Sequence, residues 1–358
     1  MCLPEDTMTE PITTRLHRRH ALLGTVALAS ALAVRKSGAQ GTPVASPVAL
    51  APVDWSSIEP LLAAAAPNYA LLVTEIVNQG DLQTVFAINP DVMLPIGSSF
   101  KFWILATLTQ LVGQGELTWD QMVEITEADR SVPGGDLRYV LPGSTFTMRY
   151  LAERMMQKSD NTATDTLLAL AGRENVEQMM AQFVTDPTPN LPLISTRELA
   201  MMKFAYPSDK LDAYYAASVD ERRRILAEEI DTIPYEALAD IQQSAPLEID
   251  RVEWFATRDE LARTVDWLYL ASMPDELRPA REVIALETQL VFDAEIWPYV
   301  GFKGGSEMGV LSGTWLMQRN DDRWFIYSVG FMNEQAEIDM AAAVAAMEAV
   351  RDQMANIP

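Results

Sequence analysis

The sequence predicts an α+β fold of two lobes, an antiparallel sheet built from both ends of the chain with a helical lobe inserted between them. Three observations carry that expectation. Strand-like apolar runs joined by turn chemistry stand between residues 69 and 88 and again after residue 298. Between them, apolar residues recur at helical spacing and helix-capping patterns repeat. At 358 residues and 49% hydrophobic content, the chain has enough material for a sizeable core. Its 27 Lys plus Arg against 50 Asp plus Glu leave a formal charge of −23, which argues against nucleic acid as a partner.

Ahead of the expected fold, Arg15, Arg18 and Arg19 precede the apolar stretch Ala21 to Val34, and Ser37-Gly38-Ala39 supplies small residues around a cleavage point. This is the layout of an export signal over residues 1–40, and the adjacent Arg18-Arg19 favours the twin-arginine route. The apolar stretch is shorter than the ~20 residues of a spanning helix, so no stable membrane span is expected. Residues 41–54, with Pro43, Pro47 and Pro52, read as an extended linker. The domain is then expected over 55–358, with the sheet lobe at about 55–97 and 298–358 and the helical lobe at about 98–297.

Within it, Trp55 to Ala66 suits a helix. Tyr69 to Val77 and Leu82 to Ile88 make a hairpin around Asn78-Gln79-Gly80-Asp81. Ser98 to Val112 is a long apolar-rich helix ended by Gly113 and Gly115, and Thr147 to Lys158 carries Leu151 and Met155 one helical turn apart. Capping-box pairs follow at Ser195 with Glu198, Ser218 with Glu221 and Thr257 with Glu260, making most of 195–275 helical. Strands return at Tyr299 to Lys303, Gly309 to Gln318 and Trp324 to Phe331, and Glu334 to Met354 closes the chain as an Ala-rich helix.

The only cysteine is Cys2 and the only histidines are His17 and His20, all within the expected leader. Once the leader is removed, a Ser-His-Asp triad, a cysteine nucleophile, a disulfide and a His- or Cys-ligated zinc site all lack their groups. Acid-base work falls to Lys, Asp, Glu or Tyr. Neither metal nor cofactor is expected.

At the start of the long helix, Ser98 and Lys101 stand three residues apart and so share a face. A desolvated lysine can take the proton of a serine where no histidine exists, and the helix N-terminus adds a positive dipole. Ser99 has Phe102 in the corresponding place and does not fit. Alone, such a pair is more often an N-cap and a surface lysine. Lysine is scarce beyond the leader, however, occurring at 101, 158, 203, 210 and 303 only. Three of the five fall in or beside Ser98-x-x-Lys101, Ser159-Asp160-Asn161 and Lys303-Gly304-Gly305.

Taken in order, those motifs resemble the signature set of the penicillin-recognising serine enzymes, and the form Ser-Asp-Asn is similar to that of class A serine β-lactamases. The resemblance runs from about Trp55 to the C-terminus and implies the β-lactamase/transpeptidase-like fold. It makes Ser98 the acylated nucleophile and Lys101 its proton acceptor. Ser159 would pass a proton to the leaving nitrogen, with Lys303 lowering its pKa. Asn161 would bind the substrate's amide side chain, and Asp160 would fix its loop. The backbone N–H groups of Ser98 and Ser306 would form the oxyanion hole, with Gly305 letting substrate lie against the strand.

Two departures from the family pattern stand out. The third motif has Gly304 where β-lactamases carry a hydroxyl that bonds the drug's carboxylate, and no Glu-x-x-x-Asn occurs between Asn161 and Lys303. The nearest match to that deacylation motif is Asp186-Pro187-Thr188-Pro189-Asn190, an acid one methylene shorter, which also reads as an ordinary Asx-Pro turn. Either Asp186 or another group activates the water, or the acyl-enzyme is long-lived. Arg222-Arg223-Arg224 reads as a solvated helix face and the Met pairs 155-156, 179-180 and 201-202 as core, while Glu253-Trp254 is a candidate lining of the cleft.

The expectation is therefore an exported, monomeric serine hydrolase, acting on a small-molecule β-lactam or peptidoglycan-like substrate. A cell-envelope peptidase or esterase, and a binding module that acylates without turnover, are its alternatives.

Overall fold

The computed structural model describes residues 52–358 apart from 79, 239, 240 and 242, so the expected export signal and nearly all of the linker lie outside the described residues. In chain order the first elements are α1 (Ile58–Ala65), β1 (Asn68–Asn78), β2 (Asp81–Ile88) and β3 (Leu94–Pro95). A 3-10 turn, Gly97–Phe100, leads into α2 (Lys101–Gly113). The helical lobe continues with β4 (Met122–Glu124), β5 (Thr145–Thr147), α3 (Met148–Gln157), α4 (Asn161–Ala171), α5 (Arg173–Met180), α6 (Thr196–Phe204), α7 (Ser208–Ala216) and α8 (Val219–Ile225). After β6 (Phe255–Ala256), α9 (Arg258–Ala271) and α10 (Arg278–Ile284), the chain returns to the sheet through β7 (Tyr299–Glu307), β8 (Val310–Gln318) and β9 (Trp324–Met332). It ends in α11 (Met340–Met354).

The main sheet has the order β2-β1-β9-β8-β7, antiparallel throughout, so the two ends of the chain meet where β1 pairs with β9. The central strands read as continuous apolar runs because both faces are covered. Leu71 and Val73 face a core under α1 and α11 that includes Leu62, Trp315, Phe325, Tyr327 and Met347. Leu72 and Ile326 face the larger core of the helical lobe, in which α2 is buried over almost its whole length. All six methionines of the three Met pairs belong to that second core.

Several expectations shift at their ends. The hairpin and the three late strands form where expected, with β7 running on to Glu307. The last helix starts only at Met340, where the Asp339 carboxylate accepts a hydrogen bond from Ala342 N at 3.0 Å. Ser195–Glu198 and Thr257–Glu260 form complete capping boxes, but Ser218–Glu221 forms only the serine half. Arg224 draws the Glu221 carboxylate away. Residues 231–238 and 243–254 are largely irregular instead of helical: Pro234 and Pro246 interrupt the pattern and push their predecessors out of the helical region. The arginine run is not uniformly solvated, since Arg222 donates to the carbonyls of Leu191, Tyr214 and Tyr215 and so ties α8 to the loop beneath it. Among the described residues, no helix is long and apolar enough to cross a membrane.

Candidate active site

Ser98 lies in the 3-10 turn between β3 and α2, so the nucleophile candidate precedes the α-helix proper instead of opening it. The turn is clamped from two sides. Ile96 N donates to Trp254 O at 2.8 Å, continuing the β3–β6 pairing, and the Trp254 ring stacks on Phe100 with centroids 3.7 Å apart. On the other side runs β7, an edge strand. A Cβ on Gly305 would stand 2.2 Å from both Ile96 O and Ser98 N, and one on Gly97 would stand 3.1 Å from Ser306 N.

This adds a second reason for a glycine at 305. Its missing side chain makes room for the Ser98 turn, and its backbone still lines the larger cavity. The same close approach brings the backbone N–H groups of Ser98 and Ser306 to one place, the arrangement an oxyanion hole needs. Beneath it, fully buried Arg258 donates to Ser312 Oγ at 3.1 Å, Val329 O at 2.9 Å and Ala256 O at 3.1 Å, linking β6, β8 and β9.

The three motifs converge on one hydroxyl. Ser159 Oγ lies 3.0 Å from Lys101 Nζ and 3.2 Å from Lys303 Nζ. Lys101 also donates to Ser159 O and Asn161 Oδ1, each at 2.8 Å, and Lys303 to Gly304 O at 2.5 Å. Burial, and then the neighbouring Lys303, hold the Lys101 amine well below the usual lysine range, with Asp165 and Asp160 pulling the other way. Burial alone brings Lys303 down to about 7. A neutral amine carries two protons and one lone pair. At Lys101 the two obligate acceptors, Ser159 O and Asn161 Oδ1, use the protons and leave the lone pair for a hydroxyl. Its three short contacts all go to the second motif, and none is to Ser98 Oγ.

The second motif is set by its middle residue. Asp160 caps α4, accepting from Ala163 N at 2.9 Å, and reaches back to accept from Leu137 N at 3.0 Å. That grip holds Ser159 at φ +53°, a left-handed conformation unusual for a residue with a side chain. Asn161 Nδ2 donates to Pro133 O at 2.5 Å, so this amide joins Lys101 to the loop opposite.

Two cavities of about 460 and 580 Å³ meet at Ser98 and share Asn161 and Ser306 as walls. The larger contains Ser159, Lys303 and Gly304. A Cβ on Gly304 would lie 2.6 Å from the Phe302 ring and 2.9 Å from Ser312 O, so no hydroxyl fits at that position. The smaller contains Glu253, Trp254 and Glu307. Asp186 lines neither cavity: exposed, it accepts from Thr188 N at 3.0 Å in an Asx turn that holds its carboxyl below the usual range. The neighbouring Asn190 is a structural pin, exchanging hydrogen bonds with Phe255 N and Phe255 O at 2.8 and 2.9 Å.

A structure of a β-lactamase from Sphaerobacter thermophilus matches over 86% of this chain and 99% of its own, with 18% identity and a TM-score of 0.57. The fold is that of the class A β-lactamases. Residues 55–208 of this β-lactamase-like chain match the model of the β-lactamase enzyme family. An ancestral class A β-lactamase (GNCA) is similar at 18% identity over 83% of this chain and 97% of its own, TM-score 0.57. The protein PBP-A is similar at 13% identity over 86% and 97%, TM-score 0.55. No curated protein matches the sequence significantly.

Sequence reasoning singled out Glu253 with Trp254 as a candidate lining of the cleft, and both do line the smaller cavity, but it left their neighbours Glu307 and Lys203 unread. Glu253, Glu307 and Lys203 come from three distant segments and share no spacing, and Lys203 had only its scarcity to mark it.

Proposed function

We propose that this β-lactamase-like chain is a serine hydrolase that forms an acyl-enzyme at Ser98, and that it is exported by its N-terminal leader. The observation that carries the reading is the Ser159 hydroxyl held between two buried amines, Lys101 at 3.0 Å and Lys303 at 3.2 Å, beside the Ser98 turn. A neutral Lys101 takes the Ser98 proton as Oγ attacks the carbonyl carbon, directly or through Ser159. Negative charge on the carbonyl oxygen meets the Ser98 and Ser306 N–H groups. Ser159 then delivers a proton to the departing nitrogen or oxygen, and the Lys303 cation steadies the hydroxyl as it loses that proton.

The substrate class is an amide, lactam or ester with an acyl group that enters the smaller cavity. The lack of room for a hydroxyl at Gly304 favours a substrate other than a standard penicillin, so a peptidase or esterase of the same machinery is the second reading. The test is intact-protein mass spectrometry after mixing with a chromogenic cephalosporin and, separately, a fluorophosphonate, with absorbance followed throughout. An adduct on Ser98 with continuing colour change supports β-lactam hydrolysis. A fluorophosphonate adduct without cephalosporin turnover supports the second reading, and no adduct from either reagent refutes both. Sequencing the N-terminus of the secreted form tests export: residues 1–40 still attached would refute cleavage of the leader.

A further inference from the structure

An acyl-enzyme is released only if some group activates water. We propose that Glu253 is the general base for the deacylating water at Ser98. The inference rests on the acyl-enzyme reading above. Its geometric basis is the register of the short strand pair. Leu94 faces Ala256, Pro95 faces Phe255, and Ile96 N donates to Trp254 O, so Glu253 adjoins the partner of Ile96 where the opposite chain passes on to Gly97, the residue before the nucleophile. Glu253 also lines the cavity that Ser98, Asn161 and Ser306 line, so a water entering that cavity has both the acid and the serine on its walls.

The side chain is held in a defined charge environment. Only 4% of the residue is exposed, and Trp254 N donates to Oε2 at 3.1 Å. From α6, Lys203 stands 3.8 Å from Oε1 but pairs directly with Glu307, which approaches from β7. Glu307 therefore holds the cation, and Glu253 keeps the Trp254 N–H as its own short partner. Arg138, Tyr139 and Tyr235 stand on the cavity's other walls, and Arg222, Arg251, Tyr214 and Tyr215 share a crevice with Glu253 behind it. Burial and then the Glu307 charge raise the Glu253 carboxyl well above the usual range, with Lys203 opposing.

In the step itself, Glu253 takes a proton from water as the water oxygen forms a bond to the acyl carbon and the carbonyl electron pair moves onto its oxygen. Collapse of that oxyanion restores the carbonyl and breaks the bond to Ser98 Oγ. The proton passes from Glu253 to the serine alkoxide, leaving free Ser98, ionised Glu253 and the acid product. A protonated Glu253 cannot act, so release slows as pH falls through its raised pKa. Removing the Glu307 charge shifts that acid limb to lower pH.

The experiment measures acylation and release separately on the full chain, by rapid-quench mass spectrometry with a chromogenic cephalosporin and a p-nitrophenyl ester, for wild type, Glu253→Gln and Glu307→Gln. The expected result is a Glu253→Gln protein that acylates within about threefold of wild type while releasing its acyl group at least ~100-fold more slowly. Glu307→Gln should turn over with its acid limb moved down, a shift that mere loss of packing would not produce. Release from Glu253→Gln at the wild-type rate, an unmoved limb in Glu307→Gln, or a wild-type adduct that never releases would each overturn the proposal. A wild type that forms no adduct overturns the acyl-enzyme reading itself, and the base with it.

Discussion

On one side of Ser98, Lys101 and Lys303 converge on the Ser159 hydroxyl; on the other, Glu253 and Glu307 converge on Lys203. Burial drives both groups toward their neutral forms, lysines downward and Glu253 upward. They differ in how they are built. The amine side is assembled from short motifs on helix starts and a strand, each held by backbone bonds such as the Asp160 cap. The acid side has no local motif and exists only because α6, β7 and the strand at β6 come together. The amine side of the cleft was therefore readable from its motifs, whereas of the acid side only Glu253 was singled out and its partners Glu307 and Lys203 were not.

That contrast can be broken most severely at the nucleophile. Ser98→Ala should abolish all covalent labelling and hydrolysis, read by intact mass after fluorophosphonate treatment; full activity in that variant would refute the mechanism. Lys101→Met should slow acylation about 10³-fold, in the range of general-base losses, with a circular dichroism spectrum unchanged from wild type. Gly305→Ala tests the clamp between the two sides. Its Cβ meets the backbone at 2.2 Å, so thermal unfolding should show a loss of about 3 kcal/mol, and acylation should fall about 100-fold as Ser98 and the oxyanion N–H groups separate.

Lys303→Arg is a finer probe. Lys303 loses its proton as pH rises through about 7, so the wild-type acylation rate should decline above that pH as the cation beside Ser159 disappears. An arginine stays charged and should carry the plateau to higher pH, seen in a pH profile of the acylation rate. Asp186→Asn should be the smallest change: stability within about 0.5 kcal/mol and release unaltered, because the exposed side chain serves only its own turn. Slowed release in that variant would restore it as a base and weaken the contrast.

Much of the fold was legible because its causes are local. The hairpin, the late strands and two complete capping boxes follow from alternation, turn residues and side-chain caps. The last helix was extended too far, because Ala-rich composition hid the stop that Asp339 imposes. The largely irregular residues 231–238 and 243–254 fell within a span expected to be mostly helical, although their prolines were visible. Gly305 shows another limit: a glycine announces a close approach but not its partner, and here one partner is the chain's own backbone at Ser98.

By itself, the sequence determined the two-lobed order of strands and helices and the Ser98–Lys101 pair, since spacing along a helix fixes which side chains are neighbours, while Ser159 and Lys303 were marked by the resemblance of their motifs to a known signature set. Tertiary structure decided that both lysines meet one hydroxyl and that Gly304 has no room for a side chain. It also set Asp186 apart from the cavities and placed Glu253 in one of them. Those facts depend on burial and on contacts between segments far apart in the chain, where the cost of desolvating a charge, and not local spacing, sets the chemistry.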